Sequence, residues 1–92
     1  MTGVRVRRSS DVLERTFAGE VLITNRHRGE VDRLEGTAAV VWALLDDPWS
    51  LDELIHVLAD GYGADEREIE RDVRVLIEEL EGLGYMEVVE DA

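Results

Sequence analysis

The strongest constraint on the fold is a succession of three helical apolar patterns in the second half of the chain, at residues 37–46, 50–60 and 65–81. In each pattern, apolar side chains recur at i, i+3, i+4 and i+7, a spacing that places them on one face of a helix. They are Ala38, Val41, Trp42 and Leu45, then Leu51, Leu54, Ile55 and Leu58, then Ile69, Val73, Leu76, Ile77, Leu80 and Leu83. We therefore predict three short helices packed around one core.

Capping residues and glycines mark where these helices begin and end. Ser50 and Glu53 have the spacing of a capping box, which satisfies backbone N–H groups in the first turn of a helix. Asp65 repeats this cap before the third helix, and Pro48 closes the first helix. Glycines are predicted to end the other two helices, because glycine adopts the left-handed conformation without strain. These glycines are Gly61 and Gly63 for the second helix, and Gly82 and Gly84 for the third.

The N-terminal third of the chain is predicted to form a small antiparallel sheet over residues 12–34. Its strongest strand is Glu20–Asn25, which is rich in β-branched residues. A weaker strand at Val12–Phe17 precedes it through a turn that ends in Gly19, and a returning strand at residues 30–34 follows it. These strands together form an antiparallel meander.

The two ends of the chain complete the predicted architecture. Residues 1–10 are basic, and their alternating valines and arginines predict either a flexible segment or a first strand of the meander. Residues 84–89 alternate in polarity and predict a short C-terminal strand, the wing. We therefore expect one α+β domain over residues 1–92, a winged helix-turn-helix with an N-terminal three-stranded antiparallel sheet, three helices and a short wing.

The charge of the chain argues against the nucleic-acid binding that is usual for a winged helix-turn-helix. Residues 1–35 hold 7 Arg and 6 acidic residues, whereas residues 36–92 hold 3 Arg, no Lys and 16 acidic residues. Because DNA binding draws its affinity from Lys and Arg on phosphates, we expect no nucleic-acid partner. A DNA-binding regulator remains an alternative, because two groups of arginines could contact phosphates. These are Arg67, Arg71 and Arg74 on the third helix, and Arg5, Arg7 and Arg8 near the N-terminus.

Nothing in the residue pattern indicates a catalytic, cofactor or metal site. The chain has no Cys, which excludes disulfides and thiolate zinc sites and fits the cytoplasm, where we expect the protein to act. His27 and His56 stand apart among unpatterned carboxylates, whereas a zinc site needs three or four ligands. No apolar run approaches the ~18–20 residues that span a bilayer, so we expect no membrane partner. The expected protein is not an enzyme and holds no metal and no cofactor.

Val75, on the third helix, lies away from the apolar stripe of that helix. At ~100° per residue, its side chain points roughly 130° away from the centre of the stripe, among charged residues. An isolated valine on a protein surface is ordinary. The alternative interpretation is that Val75 makes an apolar contact in a charged groove with something outside the core.

The order of these features resembles the PqqD-like family, whose members bind the leader peptides of ribosomally synthesised and post-translationally modified peptides. The shared features are Leu34 at the end of the third strand, Thr37, Ala38, Ala39 and Trp42 in the first helix, Asp72 and Val73 in the third, and Gly84 before the wing. The resemblance covers about residues 12–89 and rests on the order of the features. The chain departs from the family at Glu35-Gly36, where Asn is frequent, and at Tyr85-Met86, where Leu-Leu or Leu-Ile is commoner.

The resemblance implies that a leader peptide adds as an extra strand to the edge of strand 30–34 and lies in a cleft against the third helix. Strand 30–34 is short and mixed in polarity, which suits β-strand addition. The residues implied in leader binding are Glu30, Val31, Asp32, Arg33 and Leu34 on the strand, and Arg71, Asp72, Val75 and Glu79 on the helix. Asp72 matches an Asp of the family and is expected to stabilise the helix electrostatically or to pair with an Arg.

The implied function is that of an adaptor, which delivers the leader peptide to a separate leader peptidase or modifying enzyme. Such an adaptor needs a second surface for its partner enzyme. Our candidate is the acidic face of the second and third helices, formed by Asp52, Asp60, Glu66, Glu70 and Glu78, which alternatively serves solubility alone. We expect a lasso-peptide pathway. The alternatives are a PqqD-type peptide chaperone in redox-cofactor biosynthesis and a winged-helix DNA-binding regulator.

Overall fold

The computed structural model describes residues 4–18 and 20–90, and of Glu90 it describes the backbone alone. Gly19, where the sequence predicts a turn, and residues 1–3 of the basic segment lie outside the described residues. The elements in chain order are β1 (Val4–Arg8), β2 (Val12–Phe17), β3 (Glu20–Asn25), β4 (Val31–Leu34), α1 (Thr37–Leu44), β5 (Trp49–Ser50), α2 (Leu51–Tyr62), α3 (Glu66–Gly82) and β6 (Met86–Glu90). The predicted α+β fold class, with three helices and a three-stranded N-terminal sheet, is confirmed.

Strands β2, β3 and β4 form an antiparallel meander in that order. Ile23 of β3 lies opposite Glu14 of β2 and Asp32 of β4, which sets the register of the sheet. Side chains alternate between its two faces, so Ile23 is buried against the helices. On the opposite face Leu13, Phe17 and Val31 are exposed. The meander therefore has one face in the core and one in solvent.

A second antiparallel sheet, in the order β5-β1-β6, joins the two ends of the chain. Val6 of β1 pairs with Trp49 on one side and with Val88 on the other, and its side chain is completely buried. Residues 4–8 are thus a strand, which is one of the two predicted alternatives, but this strand pairs outside the N-terminal meander. The reason is that β6 and the short β5 offer backbone partners on both sides of β1.

Helices α2 and α3 begin at the predicted caps. The Ser50 hydroxyl accepts a hydrogen bond from the Glu53 N–H at 3.1 Å, and the Asp65 carboxylate accepts one from the Arg67 N–H at 2.8 Å. Each such cap contributes roughly 1 kcal/mol. Helix α1 begins after Gly36 without a side-chain cap.

The helix ends differ from the sequence prediction at two glycines, because Gly61 lies within α2 and Gly82 is the last residue of α3 without a positive φ. Helix α2 continues through Gly61, which was predicted to end it, and stops at Gly63. Gly63 has a φ of 62°, in the left-handed region, and its N–H donates to the carbonyl groups of Ala59 and Asp60. Gly61 adopts no positive φ, so it continues the helix rather than ending it.

The core lies between the two sheets and the three helices, with Trp42 of α1 among its largest buried side chains. The Trp42 indole N–H donates to the Glu14 carboxylate at 2.6 Å, so the ring is held from the direction of β2. The Arg8 guanidinium lies 4.6 Å from the centre of the ring and donates to the Trp42 carbonyl oxygen at 2.6 Å. Through these contacts α1 is tied to both sheets.

Candidate functional site

The candidate site begins at the free edge of β4. In the meander, β4 pairs with β3 on one side, and no described strand pairs with its other side. An edge strand presents unpaired backbone N–H and C=O groups, which can hydrogen-bond an added strand. Among the predicted strand residues, Glu30 lies just before β4, which begins at Val31. The Glu30 carboxylate lies 2.6 Å from the Arg28 guanidinium. The backbone carbonyl oxygen of Glu30 accepts a hydrogen bond from the Thr24 hydroxyl.

Side chains on β4 alternate between solvent and the protein interior. Val31 is 66% exposed, and Arg33 points to the same face, where it pairs with Glu20 at 3.3 Å and Glu35 at 3.7 Å. Leu34 and the half-buried Asp32 point inward. The Leu34 side chain therefore belongs to the core, and only the backbone of Leu34 lies at the open edge of β4.

Asp32 contacts Tyr85, a buried residue that follows α3 in the chain. The Tyr85 hydroxyl donates a hydrogen bond to the Asp32 carboxylate. Arg28 lies 3.7 Å from the same carboxylate, and its guanidinium is 6.0 Å from the centre of the Tyr85 ring. Burial of the Tyr85 ring, followed by the hydrogen bond and the charge of Asp32, raises the pKa of Tyr85 to about 12. Tyr85 thus links β4 to the end of α3.

A second link, which sequence reasoning missed, joins the β3–β4 turn to the end of α3. Asn25 is the one polar residue among the described residues that is buried. Its amide donates to the Gly84 carbonyl oxygen at 2.7 Å and accepts from the His27 N–H at 2.8 Å. Gly84 has a φ of 81°, and a Cβ atom there would lie 2.7 Å from the Asn25 amide nitrogen. An Asn at the end of a strand is typical of a turn, and that signal does not reveal the distant partner.

Helix α3 presents the other predicted half of the site. Ile69, Val73, Ile77 and Leu80 of this helix are buried in the core. Arg71, Asp72, Val75 and Glu79 are all exposed, and at ~100° per residue they fall within one face of the helix. Val75 is 54% exposed, so its side chain is free to contact a bound molecule. Asp72 makes no ion pair with the described residues, so the predicted pairing of Asp72 with an Arg is absent among them.

Four of the five residues predicted to bind a partner enzyme line two depressions that share Asp52. One, of about 250 Å³, lies between α2 and α3 and is lined by Asp52, Ile55, Glu66, Arg67 and Glu70. The other, of about 400 Å³, is also lined by Asp52, together with Glu78. Asp60 is exposed on α2 and lines neither depression. The structure therefore brings four of the five acidic residues together.

The described part of the chain contains no group of three or more His, Asp or Glu side chains arranged to hold a metal ion. His56 is exposed on α2, 3.1 Å from the Glu66 carboxylate. None of the helices in residues 4–18 and 20–90 has the length and apolar character needed to cross a membrane.

Comparisons with known proteins agree with the fold. The family described as coenzyme PQQ synthesis protein D (PqqD) matches residues 20–85 of the chain. A solved structure described as TbiB1 in complex with the TbiA(beta) leader peptide has the same fold, with a TM-score of 0.81 and 22% sequence identity. The match covers 88% of this chain and 94% of that one. None of the curated proteins matches the sequence.

Proposed function

Because this chain belongs to the PqqD family, we propose that it is a non-catalytic adaptor that binds the leader region of a ribosomally synthesised precursor peptide. The single observation that carries the proposal is the open edge of β4, which no described strand covers. A leader peptide would add there as a further antiparallel or parallel strand, and backbone hydrogen bonds would supply its affinity. The fold shared with TbiB1, which was solved with a leader peptide, supports this choice of ligand.

Selectivity among leaders would come from side chains on both sides of the added strand. On β4, Val31 and Arg33 stand on the exposed face of the meander. On α3, Val75 offers an apolar contact between the charged residues Arg71 and Glu79. An amphipathic leader strand would place apolar side chains against Val75, because alternate side chains of a strand point to one face. The remaining proposed contacts are Glu30, Asp32 and Leu34, through their backbone, and Asp72.

The adaptor would act without chemistry of its own, in the cytoplasm. It would hold the leader while a separate leader peptidase or modifying enzyme acts on the rest of the precursor. We propose a lasso-peptide pathway, with a PqqD-type peptide chaperone in redox-cofactor biosynthesis as the alternative. The leader sequence that binds distinguishes the two pathways.

Nucleic-acid binding is disfavoured by the ion pairs of three of the six arginines named above. Arg7 lies 2.7 Å from Glu87, Arg8 lies 3.2 Å from Glu14, and Arg74 lies 3.7 Å from Glu70. A phosphate would have to compete with these carboxylates, on a chain with a net charge of −12.

The proposal is tested with the whole chain and a fluorescently labelled leader peptide from a short precursor encoded beside it. We expect saturable binding in fluorescence anisotropy, and no response of labelled duplex DNA at about 150 mM salt. Absence of binding to that leader, or salt-resistant binding to DNA, would contradict the proposal.

The place of binding is tested by NMR amide hydrogen exchange with and without the leader. Because N–H groups of a strand point alternately to its two sides, the leader should slow exchange at every second residue of β4. The protected amides would be those of Val31 and Arg33, or those of Asp32 and Leu34. The outer edge of β2, at the opposite side of the same sheet, is the internal control and should be unaffected. Protection at β2 instead of β4 would move the site to the other edge.

A further inference from the structure

A groove of about 400 Å³ lies between the β5-β1-β6 sheet and helices α2 and α3, away from the edge of β4. Its walls and floor are largely aliphatic: Val4, Val6, Leu51, Ile77 and Val88. Val6 and Ile77 are buried, whereas Val4 and Val88 are 36% and 38% exposed. The exposed valines stand where a bound side chain would cover them. A volume of this size accommodates one or two side chains of a partner.

The rim of the groove is strongly acidic. Asp52, Glu78 and Glu81 line it, and none of the three carboxylates forms an ion pair with the residues that the structure describes. The one cation in the lining, Arg74, is 3.7 Å from the Glu70 carboxylate and so is already engaged. The groove therefore combines an apolar floor with uncompensated negative charge, which is complementary to a basic segment with an apolar side chain.

A second acidic depression extends the groove along the same surface. It lies between α2 and α3 and shares Asp52 with the first, and Glu66 and Glu70 line it. Arg67 is its one cation, against three carboxylates. The two depressions adjoin at Asp52 and are together called the acidic groove here, defined by Asp52, Glu66, Glu70, Glu78 and Glu81, with the aliphatic floor in the larger one. Its extent suits a peptide segment better than a single small molecule.

The acidic groove and the proposed leader cleft use different faces of α3. At ~100° per residue, the side chains that line the groove lie on average roughly 120° around the helix from those proposed to contact the leader. The groove side chains of α3 are Arg74, Ile77, Glu78 and Glu81. The leader-side residues are Arg71, Asp72, Val75 and Glu79. Because most of the two sets of side chains lie apart around the helix, we expect a leader and a second partner to bind at the same time.

We propose that the acidic groove is the docking site for the partner enzyme, and that it is occupied by a basic segment of that enzyme. An apolar side chain of this segment fills the space between Val4, Leu51 and Val88, and its Lys or Arg residues lie beside Asp52 and Glu78. The inference rests on the proposed adaptor function, since it assigns the second surface that an adaptor requires. It narrows the acidic face predicted from the sequence, because Asp60 lies outside the groove.

The test uses the purified leader peptidase or modifying enzyme encoded beside this chain, and measures its affinity for the full chain by isothermal titration calorimetry. Glu78→Arg should weaken enzyme binding at least tenfold, because it places a cation where the basic segment docks. Val88→Ser should weaken it several-fold by removing an apolar wall. Affinity of each variant for the labelled leader should stay within about twofold of the wild type.

Asp60→Arg is the matched control, because it makes the same type of charge reversal in the second half of a neighbouring helix, outside the groove. We expect it to leave enzyme affinity within about twofold of the wild type. Equal losses for Asp60→Arg and Glu78→Arg would show a general charge effect and overturn the groove assignment. So would unchanged binding in Glu78→Arg, or failure of the wild-type chain to bind the enzyme. Failure of the leader to bind would instead count against the adaptor function, which the anisotropy experiment measures separately.

Discussion

Tyr85 connects the candidate site to the core through one hydroxyl group. Its ring is fully buried, and its hydroxyl donates to Asp32, the inward-facing residue of the edge strand. Asp32 also lies 3.7 Å from Arg28, so its carboxylate accepts a hydrogen bond from a buried phenol and pairs with the Arg28 cation. A buried hydroxyl without an acceptor costs roughly 1–3 kcal/mol, which gives Asp32 a structural role beside its place on β4.

The pKa of Tyr85 predicts how stability changes at alkaline pH. Burial and Asp32 raise this pKa from 10.0 to about 12. Between these values the unfolded chain releases the phenol proton while the folded chain retains it, so the free energy of unfolding falls as pH rises. The Tyr85 contribution is complete below pH 10 and is lost as pH approaches about 12. Urea denaturation across this range should show a smaller decline in Tyr85→Phe than in the wild type.

Tyr62→Phe is the control for this pH dependence, because Tyr62 is half exposed on α2 and its replacement keeps Tyr85 intact. It should retain the steeper decline of the wild type. A Tyr85→Phe variant whose stability falls as steeply as that of the wild type would show that Tyr85 does not titrate in this range.

Gly84 is predicted to tolerate no side chain, for two separable reasons. Its φ of 81° is strained for any residue with a Cβ, and that Cβ would lie 2.7 Å from the Asn25 amide nitrogen. Strain of this kind costs about 1–3 kcal/mol before the contact is counted. We therefore expect Gly84→Ala to lower the free energy of unfolding by more than Gly29→Ala. Gly29 has a φ of 75°, and a Cβ atom added there would meet no other atom within 4 Å, so this variant isolates the strain.

Asn25→Ala should relieve part of the Gly84→Ala defect, because it removes the side chain that the new Cβ meets. The double variant should then lose less stability than the sum of the two single variants, by roughly 0.5–3 kcal/mol. Denaturant unfolding of the four proteins measures this coupling. Strict additivity would mean that the turn moves away from Gly84 without cost.

Among the helices, α3 has the most exposed surface to divide between partners, because its apolar stripe occupies only one side of the helix. The stripe is anchored by side chains such as Val73, which is completely buried. The remaining surface divides between the proposed leader contacts around Val75 and the acidic groove around Glu78. In this proposal, a helix of 17 residues presents one side to the core, one to the leader and one to the partner enzyme.

Val75→Glu is expected to weaken leader binding without unfolding the protein. Val75 is 54% exposed and outside the core, so its replacement should change the free energy of unfolding by no more than ~0.5 kcal/mol. A carboxylate in place of the apolar contact should reduce leader affinity roughly tenfold, or ~1.4 kcal/mol. Anisotropy with the labelled leader and thermal unfolding measure the two effects.

Val57→Glu on α2 is the matched control, because Val57 is another exposed helical valine and lines neither depression. Its leader affinity should equal that of the wild type. Equal losses in both variants would indicate a general charge effect, and a large loss of stability in Val75→Glu would place Val75 in the core.

For the molecule as a whole, β1 is the strand that holds the two ends of the chain together. It lies at the centre of the β5-β1-β6 sheet and pairs with β6 from Val4 to Arg8. Val6→Asp would bury an unpaired carboxylate at a completely buried position, and should lower the free energy of unfolding by about 3–5 kcal/mol. Val4→Asp, at a position 36% exposed in the same strand, is the control and should cost far less. Urea unfolding that showed equal, small losses would mean that β1 is not part of the core.

Much of this architecture follows from patterns within short stretches of the chain. The three helices were predicted from the spacing of apolar residues, and Ser50 and Asp65 cap the second and third of them as predicted. Both signals depend on neighbours within one or two turns. Family membership and fold class were likewise predicted from the order of such features. The position of Val75 outside the stripe was predicted from helix geometry alone.

Contacts between residues far apart in the chain were not predictable in this way. The pairing of β1 with β6, the Asn25–Gly84 hydrogen bond and the Tyr85–Asp32 hydrogen bond join segments separated by more than fifty residues. No local spacing encodes such partners, since they are selected by which surfaces meet when the helices and sheets pack. The acidic groove is a further example, because four of the five acidic residues predicted on one face converge on it and Asp60 does not. Local chemistry thus specified the elements, and packing selected which of their side chains meet.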